Sequence, residues 1–512
     1  MSPSQKIPEQ VEVLIVGYGP VGAAMACMLG RQGVRTLVID RSPDIHMAPR
    51  AIALDNEALR ILQMAGLEDN AFDKVVIPYV RMRCPYLGDF SRVNTTGTID
   101  DHPKLVTFYQ PDLERALRRT AESHESITAC CGLEFVDFIE SQAALDVRLR
   151  TPDGSRQHRV SARYLVGADG AGSQIRKAIG QEFVGRTYGE DWLIVDASNV
   201  PNNIDHVEFL CDHRRPTPHM VAPGGRTRWE FMLNGNETRE AMEQDETIHR
   251  LLAPWVTPDQ FHIERKAVYR FHARSCERYS RGCVFLVGDA AHVTPPFIGQ
   301  GLVAGLRDAA NLSWKLAWVA RGAASSAILD SYDQERRPHA TKMIALAKQM
   351  GQLVMPRNAM VAILIHGLLK LLRLAPPIRR FMEELGVKPK PDFGRGLFVK
   401  GRGKLRRGGL FPQMLIPDAN GVLTRSDLII GPHLALIGFG SELDAILSDA
   451  LRSSWQAQGG HILNWGVSTP ELPQSEWCAV VRPDMTIMHD GPANAVNQIV
   501  RETLGLLNVQ SA

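Results

Sequence analysis

Paired cysteines, an excess of charge of either sign and a long unbroken apolar run are all missing from this chain, and each absence removes a class of function. The eight cysteines (Cys27, Cys84, Cys130, Cys131, Cys211, Cys276, Cys283, Cys478) show neither the spacing of a disulfide framework nor a C-x-x-C pair. They read as thiols of a reducing compartment, and metal binding through them is not expected. Lysine and arginine number 58 against 56 aspartates and glutamates, so no global field favours nucleic acid or an anionic membrane surface. A small ligand is the expected partner. The most apolar stretch, Met360 to Ala375, is broken by His366, Lys370 and Arg373 and ends at Pro376-Pro377. It is too short and too charged to span a bilayer. It reads first as a packed amphipathic helix, with a membrane-surface or dimer-contact helix as the other reading. Met1 to Gln10 is polar, without the basic, apolar and cleavage regions of a secretory leader, so a cytoplasmic protein is expected. Internal repeats and low-complexity tracts are absent as well.

What is present is a chain of 512 residues, 44% hydrophobic and 22% charged, too long for one simple core. Two or three domains are expected. Short Val/Ile/Leu strands alternate with helical periods in separated blocks, which predicts an α/β fold with helices on the faces of a parallel sheet. The clearest strands are Glu12 to Val16, Thr36 to Ile39, Tyr164 to Val166 and Val284 to Val287. Between about 183 and 275 the texture becomes alternating strands, such as Val207 to Leu210 and Arg228 to Leu233, with Pro/Gly turns at Pro216, Pro218 and Pro223-Gly-Gly225. An antiparallel sheet inserted into a nucleotide-binding fold is predicted there. The basic, glycine-rich segment Lys400 to Gly409 reads as a linker, and the residues after about 410 as a small separate α/β unit.

Val13 to Val16 runs into Gly17-Tyr-Gly19-Pro20-Val-Gly22 and then a helical period, Ala23 to Gln32. This is the strand-turn-helix setting that a Gly-x-Gly-x-x-Gly pattern requires. Gly17 permits the tight turn, Gly19 lets the backbone approach a pyrophosphate, and Gly22 allows close helix-strand packing. The helix N-terminus offers free N–H groups to phosphates. A second strand ends in Asp40, eighteen residues after Gly22, where a carboxylate can accept hydrogen bonds from an adenosine ribose. An acid at this place favours FAD or NAD over NADP.

Two blocks far downstream separate those cofactors. The first is Tyr164-Leu-Val-Gly-Ala-Asp169-Gly170-Ala-Gly-Ser173-Gln-Ile-Arg176. The second is Val284-Phe-Leu-Val-Gly288-Asp289-Ala-Ala-His292, followed by Pro295-Pro296-Phe-Ile-Gly299-Gln-Gly301-Leu302 and a helix with Arg307-Asp308-Ala-Ala-Asn311. With the N-terminal glycines they resemble, in order and over roughly residues 10 to 345, the three fingerprints of the group A flavoprotein aromatic hydroxylases, the family of para-hydroxybenzoate hydroxylase. Narrower similarity, in Pro223 to Met232, Arg307 to Leu316 and Ser331 to Pro338, points to the 3-(3-hydroxyphenyl)propionate hydroxylase branch.

The resemblance implies a Rossmann-like FAD-binding domain in two parts, 1–182 (with some substrate-domain strands near 75–110) and 276–399, the latter with a helical region. It further implies a substrate-binding sheet domain over 183–275 and a thioredoxin-like domain over 400–512 without a cysteine pair, serving packing or the contact of a homodimer rather than redox chemistry. The implied cofactor is FAD, with NAD(P)H visiting transiently and O2 consumed. Gly17, Gly19, Pro20, Gly22, Asp40, Arg41, Arg50, Gln110, Asp169, Gly170, Asp289, Pro296, Gly299, Gly301 and Leu302 are the expected cofactor contacts. Asp289 would accept a bond from a ribityl hydroxyl, and Gly299 and Gly301 would open a helix N-terminus toward the isoalloxazine. Val303 departs from the family, many of whose members carry Asn there, and removes one polar contact.

The chemistry implied is attack by an electron-rich aromatic ring, phenolic or similar, on the distal oxygen of a flavin C4a-hydroperoxide. The protein positions the ring, excludes water and helps the phenol lose its proton. A phenol titrates near pH 10, so a partner that favours the phenolate accelerates attack. Catalytic candidates are Pro296, whose carbonyl would sit near the reactive edge of the flavin, Arg50, His219 and Tyr188. Trp229, Phe231, Tyr269 and His272 are candidate pocket residues, with ordinary sheet core the equal alternative for Trp229 and Phe231. The base is left open. Epoxidation, Baeyer-Villiger oxidation or dehydrogenation on the same fold, and a flavin-binding sensor that is no enzyme, are the competing readings.

Overall fold

The computed structural model describes residues 6–507 apart from 142–143, 202, 258–259, 385–387, 390, 402, 419, 467–471 and 474–475. Strands Ile127–Cys131, Thr36–Asp40, Gln10–Val16, Gln157–Gly167 and Val284–Leu286 lie side by side in that order, all parallel. Val13, Leu14 and Ile15 are fully buried, as an unbroken apolar run must be when helices cover both faces of a parallel sheet. The strands Leu145–Arg150 and Glu134–Glu140 extend this sheet in antiparallel sense from the first half of Gln157–Gly167. Helix Pro20–Arg31 packs against Gln110–Glu122 and the long helix Gly301–Ala320. At the crossing with the long helix, a Cβ on Gly305 would lie 2.6 Å from Val21 Cγ2 and 3.1 Å from Gly288 Cα. Only glycine lets the two helices and the Val284 strand end meet so closely.

The second sheet runs His292–Val293, His262–Cys276, Phe183–Ser198, Arg226–Met232, Thr217–Ala222, Val207–Leu210, Tyr79–Cys84, Gly88–Asn94. It is antiparallel except where Val207–Leu210 pairs with Tyr79–Cys84. Residues opposite one another across strands share a face. One face therefore carries Leu193, Val195, Ala197, Trp229 and Phe231, which pack under Met242, Ile248 and Leu252 of the short helices Arg239–Met242 and Asp245–Leu252. The other carries Trp192, Ile194, Asp196, Arg228, Glu230, Met232, Arg265 and Tyr269.

A third, four-stranded sheet has the order Gly460–Trp465, Leu434–Phe439, Trp477–Val481, Ile487–Pro492, with the first pair parallel and the others antiparallel, and helix Val496–Leu507 closing the unit. That is the strand order of a thioredoxin-like fold, and its one cysteine, Cys478, is buried without a partner.

Two sequence expectations are corrected here. The segment from Lys400 to Gly409 is no free linker: Leu405 N–H donates to Asp490 at 2.9 Å and the Arg407 guanidinium pairs with the same carboxylate at 2.8 Å. Arginine fixes a chain that glycines alone would leave loose. The apolar stretch after residue 358 does form a helix, Ala359–Leu372, but only Ala362 and His366 on it are buried. Its packed reading holds only for the inner side, Ala362, His366 and the half-buried Leu369, and most of its apolar residues stay exposed.

Candidate functional site

The site forms where the strand ends of the first sheet meet the polar face of the second. Gly17 adopts φ +106°, a conformation closed to side chains, and a Cβ there or on Gly22 would collide with the carbonyls of Ala168 and Gly17 respectively. By contrast, Gly19, Gly170, Gly172 and Gly301 border open space, with nothing within 4 Å of a Cβ placed on them. The result is a cradle of bare backbone at the start of two helices, Pro20–Arg31 and Gly301–Ala320, where N–H groups without helical partners face outward.

Carboxylates frame this cradle. Asp40, at the end of its strand, accepts the Tyr18 N–H and the Ser42 N–H, both at 2.8 Å, and each oxygen keeps a further lone pair. Arg41 beside it is exposed. Asp289 follows Val284–Leu286 and makes no hydrogen bond among the described residues. Burial raises its carboxyl, and the neighbouring His292 and Arg50 pull it back. A half-buried carboxylate in such a place can accept a hydroxyl donor from a ligand. Asp169 is engaged differently: it accepts the Ser173 hydroxyl at 2.5 Å and the Gln174 N–H at 2.7 Å, and so holds the start of helix Gln174–Ala178. Bare glycine backbone, the Asp40 carboxylate and the unsatisfied Asp289 together fit the phosphates, ribose and ribityl chain of FAD.

Behind Asp289 lies a buried ionic support. Asp308 accepts the Gly288 N–H at 3.0 Å, meets His292 Nε2 at 2.6 Å and accepts Arg336 Nε at 2.8 Å. Burial, which alone would raise it, is outweighed by His292 and Arg336, so its carboxyl stays below the usual range. Pro296 opens the short 3-10 turn Pro296–Ile298, Gly299 follows at φ +62°, and Leu302 is half-buried one residue beyond Gly301. Val303 is fully buried in the helix core, where apolar packing replaces the polar contact expected of Asn.

The loop before the second sheet is clamped from two directions. Gln110 Oε1 accepts the N–H groups of Arg50 and Ala51, both at 2.9 Å. Arg228 donates to the Pro49 and Arg50 carbonyls, each at 3.1 Å, while its guanidinium pairs with Asp196 at 2.6 Å. Arg265 reaches Asp196 at 3.1 Å and donates to the Tyr269 hydroxyl at 2.6 Å. Further along the same face Trp192 stacks on Phe271 at 5.5 Å and meets Phe297 edge-on at 5.9 Å, as Tyr188 does. Arg50, Tyr188, Tyr269 and Pro296 are thus brought to one side.

Four expected residues are not. Trp229 and Phe231 lie in the core on the opposite face of their strand, because alternate residues of a strand point to opposite sides. His219 is there too, stacked on Trp229 at 4.8 Å with its Nε2 unpartnered among the described residues, and burial pushes it down to about 3. It is a neutral core histidine, not a base beside the ring. His272 alternates with Phe271, away from Tyr269, and shares a hydrogen bond with Thr187 at 3.1 Å.

Sequence reasoning also missed a residue. Glu230 is buried, takes part in no hydrogen bond or ion pair among the described residues, and shares the face of Arg228, Asp196 and Tyr269. Burial holds its carboxyl above the ordinary range against the pull of Arg228. The signal was present in the alternation Arg228-Trp-Glu230-Phe, but only the pairing to Asp196 says which face is the wet one.

Comparison with known proteins gives the family. The family described as FAD binding domain matches residues 10–347. The 3-(3-hydroxy-phenyl)propionate/3-hydroxycinnamic acid hydroxylase of Burkholderia cenocepacia (strain HI2424) is 37% identical over 459 residues, 88% of this chain and 83% of its own. That of Escherichia coli O81 (strain ED1a) is 34% identical over 459 residues, 88% of this chain and 82% of its own. Among solved structures, the flavin-dependent monooxygenase PieE, in complex with FAD and substrate, superposes with TM-score 0.83 at 19% identity, over 97% of this chain and 99% of that one. Aklavinone-11 hydroxylase, with FAD and aklavinone, gives 0.78 at 22% identity over 98% and 100%. By its fold, its FAD cradle and these relatives, the chain belongs to the FAD-binding family of group A flavoprotein aromatic hydroxylases, and it is an FAD-dependent enzyme that spends NAD(P)H and O2 on hydroxylating an aromatic ring.

Proposed function

We propose that the substrate is a phenol of the hydroxyphenylpropanoid kind and that Glu230 takes the proton of its ring hydroxyl. The observation that carries this is a buried carboxylate with no hydrogen-bond or ion-pair partner among the described residues, on the sheet face that meets Pro49-Arg50 and Phe297. A carboxyl raised by burial is a stronger base than one in water, and a hydroxyl donor relieves the cost of leaving it bare. When bound in this cradle, FAD would carry the reducing equivalents of NAD(P)H to O2, which supplies the inserted oxygen atom. Asp289 and the glycine cradle hold the cofactor, with Asp40 on the ribose. Trp192, Phe271, Phe297 and Tyr188 enclose the ring and exclude water. Arg228 and Arg265, both tied to Asp196, fix the Pro49-Arg50 backbone and the Tyr269 hydroxyl that border the ring.

The test compares three proteins for NAD(P)H oxidation, peroxide release and product mass, with 3-(3-hydroxyphenyl)propionate, 3-hydroxycinnamate, hydroxybenzoates and their deoxy analogues as substrates. The unaltered enzyme yields a product one oxygen heavier from the hydroxylated rings only. Glu230→Gln keeps its flavin, loses hydroxylation by about 10²-fold, and regains part of it at alkaline pH, where the phenol ionises unaided. Asp289→Ala is purified with little flavin. A Glu230→Gln enzyme of unchanged rate and pH profile removes the base assignment, and an Asp289→Ala enzyme with full flavin removes the cofactor site.

A further inference from the structure

The near-zero net charge of the whole chain conceals a strongly one-sided segment. From Arg357 to Met382 there are five lysines and arginines and not one aspartate or glutamate. The same segment carries ten of the twenty-two large apolar residues exposed on the described chain. Met360, Leu364, Leu368 and Leu371 form a stripe along the helix Ala359–Leu372, 71%, 65%, 57% and 65% exposed. Leu374 at 78% and Phe381 at 54% continue it onto the short helix Pro376–Glu383. Arg357, Arg379 and Arg380 are exposed and in no ion pair among the described residues.

This patch is held to the body of the protein. His366 stacks on Phe90 at 4.0 Å and shares a hydrogen bond with the Leu353 carbonyl at 3.0 Å, and Lys370 donates to the Leu87 carbonyl at 2.6 Å. The helix is therefore a fixed face, not a loose arm. Its 14 residues measure about 21 Å, short of the roughly 30 Å of a bilayer's hydrocarbon. It meets the preceding helical segment, Ser326–Val354, at 115°, and no single helix among the described residues is long and apolar enough to cross a membrane. Such a helix lies in an interface rather than through it.

We propose that the helices Ala359–Leu372 and Pro376–Glu383 seat the enzyme peripherally on an anionic phospholipid surface. An apolar stripe flanked by cations, with no acid between them, is the composition of an interfacial helix. A second copy of the chain satisfies it less well, because a two-fold contact sets the unpaired Arg357, Arg379 and Arg380 of both copies around one rim, where the only acids, Glu383 and Glu384, lie at the far end and Glu383 is already paired with Arg373 at 3.1 Å. The seat has a consequence for an apolar substrate. Ala362 and Leu369, on the inner side of the helix, belong to the apolar cluster that contains Trp192 and Phe297, so the lipid face lies one helix away from the proposed ring site.

Flotation of the flavin-loaded enzyme with vesicles decides the matter, using phosphatidylcholine alone and phosphatidylcholine with about a third phosphatidylglycerol, near the charge of natural anionic leaflets. The enzyme floats with the anionic vesicles and much less with the neutral ones. Leu364→Glu/Leu368→Glu abolishes flotation. Arg379→Gln/Arg380→Gln weakens it roughly 30-fold, at about fivefold per cation. Both variants keep flavin content and hydroxylation in aqueous assay. The proposal is overturned if the unaltered enzyme stays with the soluble fraction, if the double-glutamate variant floats equally, or if light scattering shows a dimer that the double-glutamate variant splits into monomers.

Discussion

At the scale of single residues, the decisive property is which side of a strand a group faces. Arg228 and Glu230 look toward the Pro49-Arg50 loop, while Trp229, Phe231 and His219 look away into the core under the short helices. Replacing His219 by Phe, which preserves a ring against Trp229, is therefore expected to leave hydroxylation within about twofold of the original, since the group touches no part of the site. Stability responds instead. In the unfolded chain this imidazole takes up its proton at 6.5, in the folded one only at about 3. Between those values the folded state binds fewer protons, so its stability is complete above pH 6.5 and falls as the pH drops toward 3, by up to about 1.4 kcal/mol per unit. His102, lowered to about 4 by burial, adds to the same acid-side loss. His219→Phe should flatten the fall in melting temperature between pH 6.5 and 4, and an unchanged slope contradicts the burial argument.

At the scale of elements, the flavin cradle depends on how two helix starts and one strand end are held together. The glycines let them approach, and Asp308 ties them electrostatically through the Gly288 N–H, His292 and Arg336. Asp308→Ala leaves the Arg336 guanidinium buried without its carboxylate and frees the turn that carries Asp289. A loss of about 3–5 kcal/mol in chemical denaturation is expected, together with weaker FAD retention on dialysis. Asp308→Asn, which can still accept the Gly288 N–H, should recover part of the flavin retention but little of the stability. Equal stability for the alanine variant and the original enzyme contradicts the support assigned to Asp308.

At the scale of the molecule, the C-terminal unit is bound to the helices of the FAD-binding part by a buried ionic cluster. Arg482 meets Glu335 at 2.7 Å and pairs with Asp484, and Lys315 meets Glu335 at 2.8 Å. Burial would raise the Glu335 carboxyl, but Arg482 and Lys315 outweigh it and hold the group well below its usual range, and Lys315 is brought down to about 8 by its own burial. Arg60 adds a second tie, pairing with Asp427 at 2.6 Å. With charges from both units mutually dependent, the units are expected to unfold as one. Arg482→Leu should cost about 3–5 kcal/mol and lower the midpoint of flavin release and of the circular dichroism change together. Two separated transitions in the original enzyme rule out this coupling.

Local order in the chain gave the dinucleotide cradle, and the family resemblance of its three blocks gave FAD and the architecture. The glycine spacing of residues 17 to 22, the acids that end their strands at 40 and 289 and the change of period after residue 183 are local patterns, and backbone geometry permits few alternatives at such places. The wet face of the second sheet was not available in the same way. It follows from register, through Asp196 opposite Arg228, and a shift of one residue would exchange Glu230 for Trp229. The same holds for the helix after residue 358, whose pattern promised packing while its neighbours bury only Ala362 and His366 and leave most of its apolar residues exposed. Sequence alone determined the local backbone that can cradle FAD. Tertiary structure decided which carboxylate lies buried on the polar face of the second sheet and which apolar face stays uncovered, because burial belongs to the partners an element finds and not to the element itself.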